Sequence, residues 1–237
     1  MLDQKILPTG QTRVSQVKIG VLTLLSVLCW GATCLASSIE EDFQPLFDGK
    51  SLMGWTGKGK KFFQVQSGEL VCQQGCSGKM LTQREYGDFV LRFEFKLTAG
   101  ANNGLAIRAP LDGDAAYVGI ELQILDNTAE KYRQLKPYQF HGSAYGIAAA
   151  KKEALKPVGQ WNQQEVVCRG RQIKVTLNDK VILDINLDQV APDRQTIDGK
   201  EHPGVKRQRG HLGFLCHNDV VYFRNIRIKE LALVRAK

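Results

Sequence analysis

Apolar and polar residues alternate over much of this chain, most plainly from Phe89 to Leu97, FVLRFEFKL. Phe89, Leu91, Phe93, Phe95 and Leu97 fall on one parity, and Arg92, Glu94 and Lys96 on the other. A period of two predicts a strand with one face turned to a core. Tyr117–Asp126, YVGIELQILD, repeats the pattern, with Ile120, Leu122 and Ile124 opposed to Gly119, Glu121, Gln123 and Leu125. Two residues apart on one face, the Glu121 carboxylate and the Gln123 carboxamide stand roughly 6–7 Å from each other. A solvent-facing polar row, common in antiparallel sheets, accounts for the pair. So does a ligand cleft floored by the sheet.

The remaining pattern is strands and turns. Phe62–Val65 and Glu69–Cys72 flank Gln66-Ser67-Gly68, a hairpin signal. Leu105–Arg108 is a short strand with Leu105 and Ile107 inward and Arg108 opposed to them. The C-terminal third reads as strands over 165–168, 173–177, 181–185, 211–217 and 220–231, with Asn178-Asp179 as a tight turn. Asp188–Gln208 is a polar loop of about twenty residues, long enough for function or disorder to be suspected. About a dozen short strands, hardly any helix and no visible linker predict an all-β fold, one β-sandwich of two antiparallel sheets. If the sheets curve, the polar faces of 89–97, 105–108 and 117–125 line one hollow and gather Glu94, Arg108, Glu121 and Gln123.

Composition adds limits. At 237 residues and 43% hydrophobic content the chain can bury a proper core, and its 23 glycines suit many turns. The net charge of +8 is spread out, and no basic stripe with stacking aromatics is present, so a nucleic-acid partner is not expected. Residues 1–36 carry Lys5, Arg13 and Lys18, an apolar run from Ile19 to Leu28, and small residues ending Leu35-Ala36. That is the order of an export signal cut after Ala36, or of an uncleaved N-terminal membrane anchor. Residues 37–237 then form the single exported domain, and a membrane is a partner only if the segment stays. Of six cysteines, Cys72 and Cys76 can close a small disulfide loop, and Cys168 and Cys216 can pair or be buried. Four thiolates for zinc would want tighter CxxC pairs.

Nine segments occur in one order: FQPLFDGKSLMGW, DFVLRFEFKL, NNGLAIRAP, GIELQILD, HGSAYGI, VGQWNQQEV, LNDKVILD, GHLGFLCHND and VYFRNIRIKEL. In that order they resemble the 3-keto-disaccharide hydrolase domain family, from about Phe43 to Leu231. The resemblance implies a concanavalin A-like jelly roll, export, and action on oxidised disaccharides or glycosides.

A ketone at C3 of a sugar acidifies the C2 proton. A base removes it, the C1 substituent leaves, and water adds, which calls for a base, a cation at the developing oxyanion and an acid for the leaving oxygen. Glu121 is the expected base or acid, with Arg108 stabilising the ketone oxygen. His141, in a glycine-containing loop, and His217, ending an apolar strand, are the further proton-transfer candidates. Glu94 and Gln123 can hold hydroxyls or orient Glu121, Asn103 can bind the sugar, Asp126 can cap the site loop or bind substrate or a cation, and Tyr145 and Trp161 can stack on sugar rings. No cofactor is evident. Glu121, Gln123 and Asp126 can offer oxygens to a divalent cation, without a dedicated loop motif. Two rivals remain. One is a non-catalytic carbohydrate-binding module. The other is an ordinary glucanase, though the ExDxxE strand of retaining glucanases reads here Glu121-x-Gln123-x-x-Asp126.

Overall fold

The alternation in the sequence becomes two antiparallel sheets in the computed structural model, which describes residues 42–192 and 196–232. The reading of residues 1–36 as signal or anchor lies outside the described residues. In chain order the first strands are β1 (Gln44–Pro45), β2 (Trp55–Thr56), β3 (Phe63–Gln66), β4 (Glu69–Cys72), β5 (Ser77–Thr82) and β6 (Phe89–Leu97). Then follow β7 (Asn102–Ala109), β8 (Ile120–Leu125), β9 (Trp161–Arg169), β10 (Gln172–Leu177), β11 (Lys180–Asn186), β12 (His211–His217) and β13 (Val221–Glu230). Two four-residue helices, α1 (Ala115–Val118) and α2 (Leu187–Val190), interrupt them.

The first sheet runs β11-β10-β9-β6-β13-β4-β3, with β1 also pairing β13, and the second runs β2-β5-β12-β7-β8. This is the β-sandwich that the strand pattern predicts. Both expected turns form: Ser67 and Gly68 join β3 to β4, and Asn178 and Asp179 join β10 to β11, each at positive φ. Phe93 and Phe223 from the first sheet meet Phe214 from the second, with the Phe214 and Phe223 rings 3.9 Å apart. Each such ring taken from water contributes about 1.5–3 kcal/mol.

Three departures from the sequence reading matter for the site. The predicted strand from Tyr117 begins only at Ile120, because Asp114 caps α1 by accepting from the Ala116 amide at 3.1 Å. β6 belongs to the first sheet while β7 and β8 belong to the second, so their polar faces do not share a hollow. Finally, Arg108 sits at φ 49°, which bends β7 and breaks its alternation. A register shift on the partner strand, between His211 and Gly213, falls at the same place.

Candidate active site

Direct pairing partners in an antiparallel sheet share a face. In the second sheet, Leu122, Leu105, Phe214 and Met80 form one row, and it points into the sandwich. The adjoining rows, Gln123–Gly104–Leu215–Lys79 and Glu121–Ala106–Gly213–Leu81, therefore face away from that core. The parity read for Glu121 and Gln123 is correct. The face is nevertheless not open. Residues 142–145 run along the free edge of β8, with the Gln123 amide donating to Ser143 and the Tyr145 amide to Glu121, both at 2.9 Å. All six residues of β8 are buried.

Glu121 lies across Gly104, where an added Cβ would come 2.2 Å from Oε1. That carboxylate reaches His217 Nε2 at 3.5 Å, with side-chain exposures of 6% for Glu121 and 39% for His217. His217 also lines a pocket of about 290 Å³, bordered by Lys58, Lys79, Asp112, Asp114 and Leu215. Burial by itself would lower the pKa of His217. The hydrogen bond and charge of Glu121, with Asp114 and Asp219 behind, outweigh burial and hold it above its ordinary value of 6.5. The imidazole is thus biased toward its charged form beside a carboxylate. Gln123 Oε1 is buried without a partner. Lys79 Nζ donates to the carbonyls of Pro110 (3.1 Å) and Gly113 (2.7 Å), and burial lowers its pKa.

Tyr145 borders the same face. Its hydroxyl accepts from Gln139 at 3.0 Å, and burial raises its pKa, with Glu121 among the charges that add to the effect. His202, which the sequence leaves as a loop residue in solvent, is fully buried. Its Nδ1 donates to the Ala116 carbonyl at 2.9 Å, Nε2 faces Asp198 at 3.1 Å, and its ring packs on Tyr117. No local pattern marks its contacts to Ala116 and Tyr117, because α1 and the 198–202 turn meet only in the folded chain.

The other expected site residues lie elsewhere. Arg108, with its side chain fully buried, donates to the Gly170 carbonyl at 2.8 Å and pairs with Asp88 at 3.2 Å. Its guanidinium ties loops together rather than meeting Glu121. His141 is inside the sandwich, 5.0 Å from the Phe95 ring, and burial lowers its pKa to about 4. A histidine that stays neutral in the core is not placed to shuttle protons in the pocket. Asn103 also faces inward, toward the Cys72 sulfur at 3.7 Å. Glu94 and Trp161 sit on the outer face of the first sheet. Arg224 bonds Glu94 at 2.8 Å there and lies 4.0 Å over the Trp161 ring.

Asp126 closes its loop by accepting from the Gly100 amide (2.8 Å) and from the Thr128 amide (2.9 Å) and hydroxyl (2.6 Å). Burial pushes its pKa up, and these donors more than reverse that, so it ends below its ordinary value. Both of its oxygens thus serve to close the 126–128 loop against Gly100. The four cysteines of the sandwich are buried thiols. Cys216 lies with Cys72 and not with Cys168.

The fold is thus a β-sandwich that carries a carboxylate–imidazole pair on the face of one sheet turned away from the core. More particularly, the chain belongs to the family of 3-keto-alpha-glucoside-1,2-lyase-like domains, whose model matches residues 42–229. It is similar to the 3-keto-disaccharide hydrolase of Bacteroides thetaiotaomicron, at 26% identity over 78% of this chain and 77% of that protein. Two crystal structures from Parabacteroides distasonis, both described as candidate glycosyl hydrolases, superpose with a TM-score of 0.70. One is 28% identical and covers 80% of this chain and 99% of its own, and the other is 25% identical with 82% and 96%.

Proposed function

We propose that this protein is an enzyme that opens glycosidic bonds in sugars carrying a ketone at C3, by elimination across C1 and C2 followed by addition of water. The observation that carries the proposal is the 3.5 Å contact between Glu121 and His217 on the coreless face, at the rim of the pocket. Family membership and the glycoside-acting relatives support the same reading.

In this reading Glu121 takes the C2 proton, and the electron pair of that C–H bond moves toward the C3 oxygen. His217, charged through its proximity to Glu121, gives its proton to the glycosidic oxygen as the C1–O bond breaks. Lys79 replaces Arg108 as the source of positive charge near the ketone oxygen. An ammonium has three donors, and the two carbonyls it contacts leave one free. Export of the chain, read from residues 1–36, belongs to the same proposal, and N-terminal sequencing of the protein recovered outside the cytoplasm tests it.

The decisive assay incubates the protein with a 3-keto-glycoside and with the unoxidised parent, with and without chelator. Only the oxidised sugar should be consumed, and Glu121→Gln should lower kcat by ~10²-fold or more, the scale of positioned acid–base catalysis. Cleavage of the parent at a similar rate would make the protein an ordinary glycosidase. Sugar binding without turnover, unaffected by Glu121→Gln, would make it a binding module. Loss of activity with chelator would place a cation in the site.

A further inference from the structure

Three thiols converge at the end of the sandwich next to His217. Cys72 ends β4 in the first sheet, Cys76 lies in the connection to β5, and Cys216 is on β12 in the second sheet. Their sulfurs all lie within 4.8 Å of one another, with Cys72 at 3.2 Å from Cys76 and 3.8 Å from Cys216. All three residues are buried. A cation bound at about 2.3 Å from three sulfurs in a plane sets those sulfurs about 4.0 Å apart, close to the arrangement present. Among the described residues no imidazole or carboxylate joins the group. The neighbouring polar groups are the Asn103 amide, which donates toward Cys72 at 3.7 Å, and the Asp219 backbone carbonyl, 4.0 Å from Cys76.

We propose that Cys72, Cys76 and Cys216 form a three-coordinate site for a soft monovalent cation, Cu(I), which ties the two sheets together beside the active-site face. Soft thiolates with no nitrogen or oxygen partner select Cu(I), whereas zinc seeks a fourth ligand that the group lacks. Binding breaks three S–H bonds and releases three protons to solvent, with no change of oxidation state. Because each thiol must give up its proton to bind, uptake strengthens as pH rises. The Asn103 amide offsets part of the negative charge that the thiolates bring.

The test uses the full chain carrying Cys29→Ser and Cys34→Ser, so that the sandwich supplies the only cysteines, reduced and kept free of oxygen. It is titrated with Cu(I) against a chromophoric Cu(I) chelator, and the ligands are read by X-ray absorption. One Cu(I) per chain with three sulfur neighbours is expected. The loaded protein should melt about 5 °C or more above the empty one. Cys76→Ser and Cys216→Ala should each abolish retention and the melting shift while remaining folded by circular dichroism, and Cys168→Ser should leave both intact. Failure to retain Cu(I), retention unaffected by either variant, or preferential uptake of Zn(II) would overturn the proposal. So would a two-hydrogen mass loss showing a disulfide among these cysteines in protein isolated without reductant.

Discussion

Glu121 matters to His217 because its carboxylate holds the imidazole toward the charged form. His217 has its pKa raised in the fold, so its contribution to stability is complete below 6.5 and is lost as pH rises through the higher folded value. The difference in melting temperature between wild type and His217→Gln should therefore shrink as the buffer passes from pH 6 to 9. An NMR titration should give His217 a pKa above 6.5, returning toward it in Glu121→Gln. An unshifted imidazole in the wild type would remove the charged acid from the mechanism. Gly104 sets the second residue-scale expectation. A methyl there collides with the Glu121 side chain from Cγ to Oε1 rather than with backbone. Gly104→Ala should keep its melting temperature within a few degrees and lose activity, because the carboxylate must swing aside. Full activity in that variant would mean that the present carboxylate position is irrelevant to turnover.

At the scale of elements, the bend of β7 at Arg108 has the largest consequence. Regular pairing would have carried the guanidinium onto the face of Ala106 and Glu121. The left-handed backbone at φ 49° turns it instead toward Asp88 and the Gly170 carbonyl, at the edge between sheets. Arg108 is thus a structural clasp. Removing one partner of a buried pair costs about 3–5 kcal/mol, since the other charge is left stranded. Arg108→Met should lower unfolding free energy by that order in urea titrations, while the fraction still folded turns over substrate at the wild-type kcat. A stable but inactive Arg108→Met protein would restore the catalytic role that the sequence suggests. β8 carries the complementary lesson. It reads as one strand with one wet face, yet residues 142–145 pair along its edge, all six of its residues are buried, and Glu121 meets His217.

Across the whole molecule, the charged and aromatic residues divide between two outer faces. Glu94, Trp161, Lys96 and Arg224 stack on the first sheet, and Glu121, Gln123, His217 and Lys79 belong to the second. Trp161→Ala should lose only about 1 kcal/mol of stability through its cation–π contacts and leave KM for the 3-keto-glycoside unchanged. A clear rise in KM would move sugar binding to the opposite face. The sequence alone determined the strands, the tight turns and the side of β8 from which Glu121 and Gln123 project, because alternation and turn geometry are properties of a few adjacent residues. The order of nine segments was enough to indicate the family. Only the tertiary structure decided that Glu94 stands apart from Glu121, that His141 is sealed in the core, that Arg108 turns away, and that His217 and not another histidine meets the carboxylate. Those outcomes depend on which distant strands pair, where a ladder breaks and what a loop covers. Such relations join residues far apart in the chain, and no local periodicity encodes them.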